Sequence, residues 1–352
     1  MTSTLPATSR TAVGLISADS HVIEPVALWA DVLPTDYWGA TPGTFSQRPG
    51  GFDSKARLDE MGEDGVSAEV LYPSLALRLF GLDSPEVQRE CFRLYNDWLA
   101  DYVSANPERL LGVGLISVYD MDLAVEEAIR CQRAGLRGIQ VWQSPHPDLP
   151  FASSHYDPLW ETAAKLNLPV SLHILSGHDY SLDIYSQGSD LSAAGLALYR
   201  RSINLKWLAA ADALLELILS GALDRHREMR LVLVENEIAW APFLVDQLDY
   251  YYARLREKVP VPQSRPPSEC FADQIRATFF RDPNAAMVID ALGPDCFMWS
   301  NDYPHGNSTW PNSREIVRTH LAALDDERYQ KAVVGNVCAL YRIDPDVVVT
   351  EG

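Results

Sequence analysis

The segment ISADSHVIEP, Ile16–Pro25, joins the end of a buried β-strand to two side chains that can bind a metal. Asp19 and His21 are two positions apart, so in a strand both point to the same side. At the first strand of a barrel that side can be the interior, where a carboxylate and an imidazole can share one metal. The alternative is an aspartate that caps the following turn and a histidine that is hydrogen-bonded in the core.

Seven further apolar segments follow along the chain, separated by amphipathic, helix-like stretches. Near-continuous apolarity is typical of parallel strands that are buried on both faces. Eight such segments alternating with helices predict an α/β fold, a (β/α)8 TIM barrel that forms one domain over residues 1–352. A doubly wound open sheet is the competing architecture, but no GxGxxG motif follows an early strand. The predicted strands are Val13–Ala18, Ser67–Tyr72, Leu111–Ser117, Arg137–Trp142, Val170–Ile174, Leu231–Glu235, Ile275–Phe280 and Cys296–Ser300, and the clearest predicted helices are Pro85–Asn106, Met121–Ala134, Tyr156–Leu166 and Ile238–Lys258.

Two segments exceed the minimal barrel. Pro34–Gly51 is rich in Pro, Gly and Thr and follows the first strand, and Ser176–Lys206 is long, polar and tyrosine-bearing and follows the fifth. Segments that follow strands lie on the active-site face of a barrel. We therefore predict loop insertions on that face, with residues 176–206 as an active-site loop.

The composition limits the function classes. Hydrophobic residues make up 47% of the chain, enough for a sizeable core, and the net charge of −19 argues against binding to nucleic acid or to anionic membranes. The 5 cysteines show no CxxC spacing and indicate buried thiols in a reducing compartment. Neither a signal peptide nor an apolar run of about 18 residues or more is present, so we expect a soluble cytoplasmic protein.

The segment LPVSLHILSGH, Leu168–His178, places a histidine at the end of a predicted central strand. His173 is there either a metal ligand or a hydrogen-bonded core residue. His178 lies beyond the strand, on the predicted loop, where it either faces a substrate or is simply exposed. Its position alone does not separate these two interpretations.

The segment FMWSNDYPHGNSTWP, Phe297–Pro311, runs from an apolar strand into Asp302 and His305. An aspartate at the end of the last strand is where a barrel places a metal ligand or a general base. The alternative is an Asx turn before Pro304. Taken together, three strand ends that each offer Asp or His predict a site for zinc, manganese or iron.

These motifs, together with RLVLVENEIAWAPFLVDQLD, resemble the amidohydrolase superfamily. The resemblance extends from Ile16 to Tyr341 and is to the group that includes aminocarboxymuconate semialdehyde decarboxylase and γ-resorcylate decarboxylase. It implies a (β/α)8 barrel with a divalent metal. It also implies that Arg57 holds a substrate carboxylate, although a surface helix arginine is the alternative. The positions that match the metal ligands of the group are Asp19, His21, His173 and Asp302, the first of which is often His or Glu in relatives.

Glu235 departs from this pattern. The decarboxylases of the group have a histidine at the end of strand six, where this chain has a glutamate. A glutamate there is a general base, a ligand of a second metal, or a structural partner of an arginine below the site. The second option is notable because a few enzymes on this fold are non-heme diiron monooxygenases.

Three functions remain open from the sequence. The first is metal-dependent hydrolysis or non-oxidative decarboxylation of a small carboxylate or acyl substrate, with Asp302 or Glu235 moving the proton. The second is a monooxygenase with two irons per chain that acts on a bulky apolar substrate, diterpenoid-like or an acyl-CoA, with His178 and Glu235 completing the second iron site. The third is an inactive barrel that serves as a binding scaffold. We also expect a homodimer, and substrate contacts from Tyr180 and His305; further aromatic candidates for the substrate side are Tyr185, Trp207, Trp240 and Trp299.

Overall fold

Eight parallel strands form one sheet in the order in which they occur along the chain. The computed structural model describes residues 14–38, 48–178 and 193–347. Every residue of the strands is buried except Arg276, as expected where helices cover the outside and side chains fill the inside. All eight predicted strands are confirmed, with ends that differ by a few residues. They are β1 (Leu15–Val22), β2 (Val66–Pro73), β3 (Leu110–Leu115), β4 (Gly138–Val141), β5 (Val170–His173), β6 (Leu231–Val234), β7 (Ile275–Phe279) and β8 (Phe297–Trp299).

The segment that follows β8 closes the sheet onto β1. The main-chain N–H of Asp302 donates to the carbonyl of Asp19 at 3.1 Å, and the N–H of His21 donates to the carbonyl of Tyr303 at 2.6 Å. The first and last strands therefore meet, and the predicted TIM barrel is confirmed. The same hydrogen bonds bring the motifs at the two ends of the chain side by side.

Helices lie between the strands and continue after the last one. Side-chain caps begin several of them: Asp53 accepts hydrogen bonds from the main-chain N–H groups of Lys55 and Ala56, and Asp120 accepts one from Leu123. The four helices expected from amphipathic spacing are confirmed. The helices are α1 (Ser54–Asp64), α2 (Pro85–Val103), α3 (Met121–Arg133), α4 (Asp157–Leu166), α5 (Ala193–Leu219), α6 (Ala222–Arg225), α7 (Ala241–Leu255), α8 (Pro267–Gln274), α9 (Ala285–Leu292), α10 (Ser313–His320), α11 (Asp326–Gln330) and α12 (Asn336–Tyr341).

The two predicted insertions are described in part. The end of Pro34–Gly51 is a short 3-10 helix, Pro49–Gly51, and residues 39–47 lie outside the described residues. In Ser176–Lys206, residues 179–192 lie outside them, while residues from Ala193 onward belong to α5. The part of this segment from 193 to 206 is thus helix rather than loop, consistent with the Ala- and Leu-rich sequence of α5.

Two structural observations, on the cysteines and on the helices, concern the cellular compartment that the sequence predicts. All five cysteines are free and buried. None of the helices in the described ranges is both long enough and apolar enough to cross a bilayer.

Candidate metal centre

Four of the predicted site residues converge at the carboxyl ends of β1, β5 and β6. Ligand atoms of Asp19, His21, His173 and Glu235 lie within 4.8 Å of one another. The Oδ1 of Asp19 is 3.4 Å from Nε2 of His21 and 3.7 Å from Nε2 of His173. Nε2 of His173 is also 3.9 Å from Oε2 of Glu235. A mixed set of imidazole and carboxylate groups suits a divalent transition metal.

A second group overlaps with the first. His21, Asp302 and His305 also offer ligand atoms within 4.8 Å of one another. Oδ1 of Asp302 is 3.4 Å from Nε2 of His21 and 2.8 Å from Nδ1 of His305. Since His21 belongs to both groups, the predicted ligands from strands one, five and eight surround one centre.

The other ring nitrogens of the two strand histidines are held by the main chain. Nδ1 of His21 is 2.8 Å from the carbonyl of Pro73, and Nδ1 of His173 is 2.7 Å from the carbonyl of Ile174. A carbonyl oxygen only accepts, so each Nδ1 carries a proton and each Nε2 faces the centre, where a bound metal would take its lone pair. Metal-binding histidines commonly have this outer hydrogen bond.

The donor atoms that face the centre are buried and lack hydrogen-bond partners among the described residues. A native fold rarely leaves so many such atoms together, because each one costs free energy. Together they fit one divalent cation, whose positive charge would offset two carboxylates. The atoms are Oδ1 and Oδ2 of Asp19, Nε2 of His21, Nε2 of His173 and Oδ2 of Asp302.

The protonation of this group follows from burial and from charge. Burial raises the pKa of Asp19, and it lowers the pKa of His21 well below the usual value, which keeps His21 in the neutral form that binds metals. Burial also acts to lower the pKa of His305, but the Asp302 carboxylate outweighs it and raises that pKa to about 9. Without a metal, the centre is therefore a set of buried ionisable groups that perturb one another's pKa values.

Two of the carboxylate residues have a strained backbone conformation. Glu235 has φ 63° and Asp302 has φ 53°, in the left-handed region that residues other than glycine seldom adopt. Each follows the last residues of its strand, and the turn directs its side chain back over the barrel. The main-chain N–H of Glu235 donates to Oγ1 of Thr278 at 2.9 Å, which fixes this turn to β7. Strain of this kind tends to occur at functional sites.

Glu24 supports the centre from a distance. Its buried carboxylate accepts hydrogen bonds from the main-chain N–H groups of Ser74, Leu75 and Ala76 at 3.2, 3.0 and 3.1 Å, and burial raises its pKa to about 7. Oγ of Ser74 in turn lies 3.0 Å from Nε2 of His305. The turn that follows β1 therefore fixes the loop after β2, and this loop fixes His305. Ser74 was not predicted from the sequence, since no local sequence pattern distinguishes it from other serines.

Arg57 is hydrogen-bonded to the end of β1. Its guanidinium is fully buried, with Nε 2.5 Å from Oε2 of Glu69 and Nη1 2.7 Å from the carbonyl of His21. It also stacks on the ring of Tyr303, with Cζ 4.4 Å from the ring centre. The alternative of a surface helix arginine is wrong. The predicted contact with a substrate carboxylate stays a prediction, and it would involve Nη2, which is buried and lacks a partner among the described residues.

His178 is not part of either group of ligand atoms. Its ring centre lies 4.0 Å from that of His146, and its main-chain N–H donates to the carbonyl of Ser144 at 3.1 Å. The loop after β4 thus holds His178 beside His146, and its prediction as a ligand of a second metal finds no support in this geometry. The contact between His146 and His178 was not predicted from the sequence, because the two residues lie on different loops.

The aromatic residues expected on the substrate side differ in their placement. Tyr180 and Tyr185 lie outside the described residues. Trp299 is buried within β8 as part of the core, which excludes it from a substrate surface. Trp240 is partly buried, and its Nε1 donates to the carbonyl of Asn236 at 3.0 Å, while Trp207 is 40% exposed on α5.

Comparison with known proteins shows which family the chain belongs to. The model of the amidohydrolase family matches residues 23–343. The chain belongs to the amidohydrolase family. It is 25% identical over 331 residues to a γ-resorcylate decarboxylase of Rhizobium sp., an alignment that covers 86% of this chain and 93% of that protein.

Solved structures of the family share the fold. The 2,6-dihydroxybenzoate decarboxylase from Rhizobium superimposes with a TM-score of 0.71 at 21% identity, over 94% of this chain and 99% of that one. The dihydroxybenzoic acid decarboxylase from Polaromonas sp. JS666, solved with manganese and the inhibitor 2-nitroresorcinol, has a TM-score of 0.69 at 21% identity, over 94% and 97% of the two chains. These relatives are carboxy-lyases, and they do not support the diiron monooxygenase or the inactive scaffold.

Proposed function

We propose that this amidohydrolase-family protein is a metal-dependent, non-oxidative decarboxylase of a hydroxylated aromatic acid. The observation that carries the proposal is a convergence of buried donor atoms at the carboxyl ends of the barrel strands. These atoms belong to Asp19, His21, His173 and Asp302 and lack hydrogen-bond partners among the described residues. The similarity to γ-resorcylate decarboxylase over 86% of the chain supports the reaction class. The ligands of the metal would be these four residues.

The reaction breaks the bond between a ring carbon and the carboxylate carbon. The electron pair stays on the ring carbon, which takes up a proton, and CO2 leaves. A bound divalent metal supplies positive charge that polarises the substrate's oxygen atoms. We assign the proton transfer to Asp302 or Glu235, because these two carboxylates belong to the groups that surround the centre.

The exposure of the site residues indicates how a substrate reaches the centre. The side chains of Asp19, His21 and His173 are 0% exposed, whereas those of Glu235 and His305 are 9% and 17% exposed. The first three therefore form the floor, and the last two lie at the opening. We infer that the substrate ring enters between Glu235 and His305, with His305 held in place by Asp302 and Ser74.

Manganese is the metal that we propose first, since two solved relatives hold it. Zinc and iron remain compatible with the same ligands. The homodimeric state and the cytoplasmic location stay predictions from the sequence.

The test is a decarboxylation assay of the manganese-loaded protein without oxygen. We expect release of CO2 from 2,6-dihydroxybenzoate or a related hydroxybenzoate, and loss of at least about a hundredfold in kcat/KM for Asp302→Asn. An exposed aspartate, Asp148, gives the matched control variant Asp148→Asn. No CO2 from a panel of such acids, or turnover that needs oxygen, would overturn the proposal.

A further inference from the structure

A second recess lies on the face of the barrel opposite the metal centre. It is a cavity of ≈ 380 Å³, within the size range of small-molecule sites. Residues at the amino ends of β5 to β8 and on α12 line it, while the metal centre stands at the carboxyl ends of the strands. Residues on this face of a barrel generally serve stability, so a cavity lined by charged side chains on this face requires a separate explanation.

Three arginines line the cavity, and the main chain anchors each of them. Nη1 of Arg276 donates to the carbonyl of Ile275 at 2.7 Å, Nη1 of Arg230 donates to that of Arg227 at 2.9 Å, and Nη1 of Arg342 donates to that of Asn167 at 2.9 Å. In each case a carbonyl fixes one nitrogen and leaves other N–H groups of the guanidinium available. The three side chains are therefore oriented without being neutralised.

None of the three arginines forms an ion pair with a carboxylate in the part of the chain that the structure describes. This is unexpected in a chain with 48 acidic residues against 29 Lys and Arg. Arg276 is half-buried, and burial lowers its pKa; the neighbouring Arg230 adds to this effect, while Cys296, Asp295 and Asp273 oppose it without reversing it. The guanidinium groups of Arg230 and Arg276 therefore repel each other, and an anion in the cavity would relieve that repulsion.

Two acidic residues also line the cavity, and neither neutralises the arginines. Oδ1 of Asp295 accepts a hydrogen bond from Nζ of Lys331 at 2.7 Å, and its carboxylate raises the pKa of Arg276 without forming an ion pair with it among the described residues. Glu228 is exposed, and within the described ranges it makes no ion pair with these arginines. With three arginines against two carboxylates, the lining of the cavity keeps a net positive charge.

We propose that this cavity binds a small oxyanion with two negative charges. Planar guanidinium groups bind carboxylate and phosphate oxygens through paired, charge-assisted hydrogen bonds, and three of them at one recess match a dianion. A phosphate ester and a dicarboxylate share this chemistry. The site is independent of the proposed decarboxylation, because none of its residues belongs to the metal centre.

Isothermal titration of the full chain with inorganic phosphate and with succinate tests the site, at fixed ionic strength and with acetate as the singly charged reference. We expect saturable binding of at least one dianion, weakened at least about tenfold in Arg276→Gln and in Arg342→Gln. Arg318→Gln is the control, since it removes the same charge from an exposed position outside the cavity. Arg342 is exposed, so its variant tests the site even if Arg276→Gln folds poorly.

The pattern of binding decides the outcome. Phosphate alone, succinate alone, or both would support the site and name its ligand class. The inference is overturned if neither dianion binds, if the two cavity variants bind as tightly as the wild type, or if binding is lost instead in Asp302→Asn. The last result would assign the anion to the metal centre.

Discussion

The replacement Asp19→Asn should stabilise the metal-free protein and destabilise the metal-loaded one. Asp19 is 0% exposed, and neither of its carboxylate oxygens has a hydrogen-bond partner among the described residues. Burial is the largest effect on its pKa and raises it; His173 and His305 oppose this effect without reversing it, and the Asp302 carboxylate adds to it. Without a cation, the charged form of this side chain opposes folding. Asparagine removes the charge and keeps the shape.

The magnitude follows from the environment. Asparagine is also a buried polar group, so the variant gains only the excess cost of the charged form over a neutral one. This excess is about 1.4 kcal/mol for each unit by which the pKa is raised, so we expect Asp19→Asn to raise the free energy of unfolding of metal-free protein by about 1–3 kcal/mol. With metal at about a thousand times its Kd, the wild type gains about 4 kcal/mol, and the variant loses most of this gain because it lacks a ligand. The order of stability thus reverses when metal is added.

Urea unfolding in EDTA and in manganese measures both effects. Asp148→Asn is the control, since the Asp148 side chain is 92% exposed and should change little under either condition. If Asp19→Asn is less stable than the wild type in EDTA, the view of this site as a group of buried charges that requires a cation is wrong.

Three further changes test the surroundings of the centre. Glu235 has φ 63°, so the variant Glu235→Gly should be more stable than Glu235→Ala by about 1 kcal/mol in urea unfolding, because glycine adopts this conformation without strain. Equal stability of the two variants would refute the strain. Glu24 has a pKa of about 7 in the folded protein, above its usual 4.5, so the folded state holds the extra proton and stability falls as pH rises through this window. The variant Glu24→Gln should show a flatter fall in the melting temperature measured in EDTA, and an unchanged slope would assign the effect to other groups. Ser74→Ala should lower kcat about two- to tenfold with unchanged metal content, because it removes the hydrogen bond between Oγ of Ser74 and Nε2 of His305. Loss of the metal would show instead that Ser74 supports the ligands.

The sequence predicted the strands and four ligand positions for one physical reason. Parallel strands that are buried on both faces appear as apolar runs, and their carboxyl ends meet on one face of the barrel. Asp19, His173 and Asp302 each follow such a run, so their meeting could be inferred without coordinates. Glu235 was found through the family resemblance, as the residue at the end of strand six where the related decarboxylases have a histidine.

Contacts between loops could not be inferred in this way. Glu24 binds the loop after β2, and Ser74 reaches His305 across 231 positions of the chain, and neither pairing leaves a local pattern. The left-handed conformation of Glu235 was also hidden, since glutamate seldom adopts it. The arginine cavity joins Arg230 before β6, Arg276 at the start of β7 and Arg342 after α12, and each of them alone resembles a surface charge.

The most direct test of the account is the metal content of the purified protein. After growth with both manganese and iron, we predict about one divalent ion per chain, lost in Asp19→Asn and kept in Glu235→Ala, because Asp19 stands at the floor of the centre and Glu235 at its opening. Two irons per chain that both depend on Glu235 would contradict the account and favour an oxygenase. Absence of bound metal in the wild type would contradict the metal centre itself.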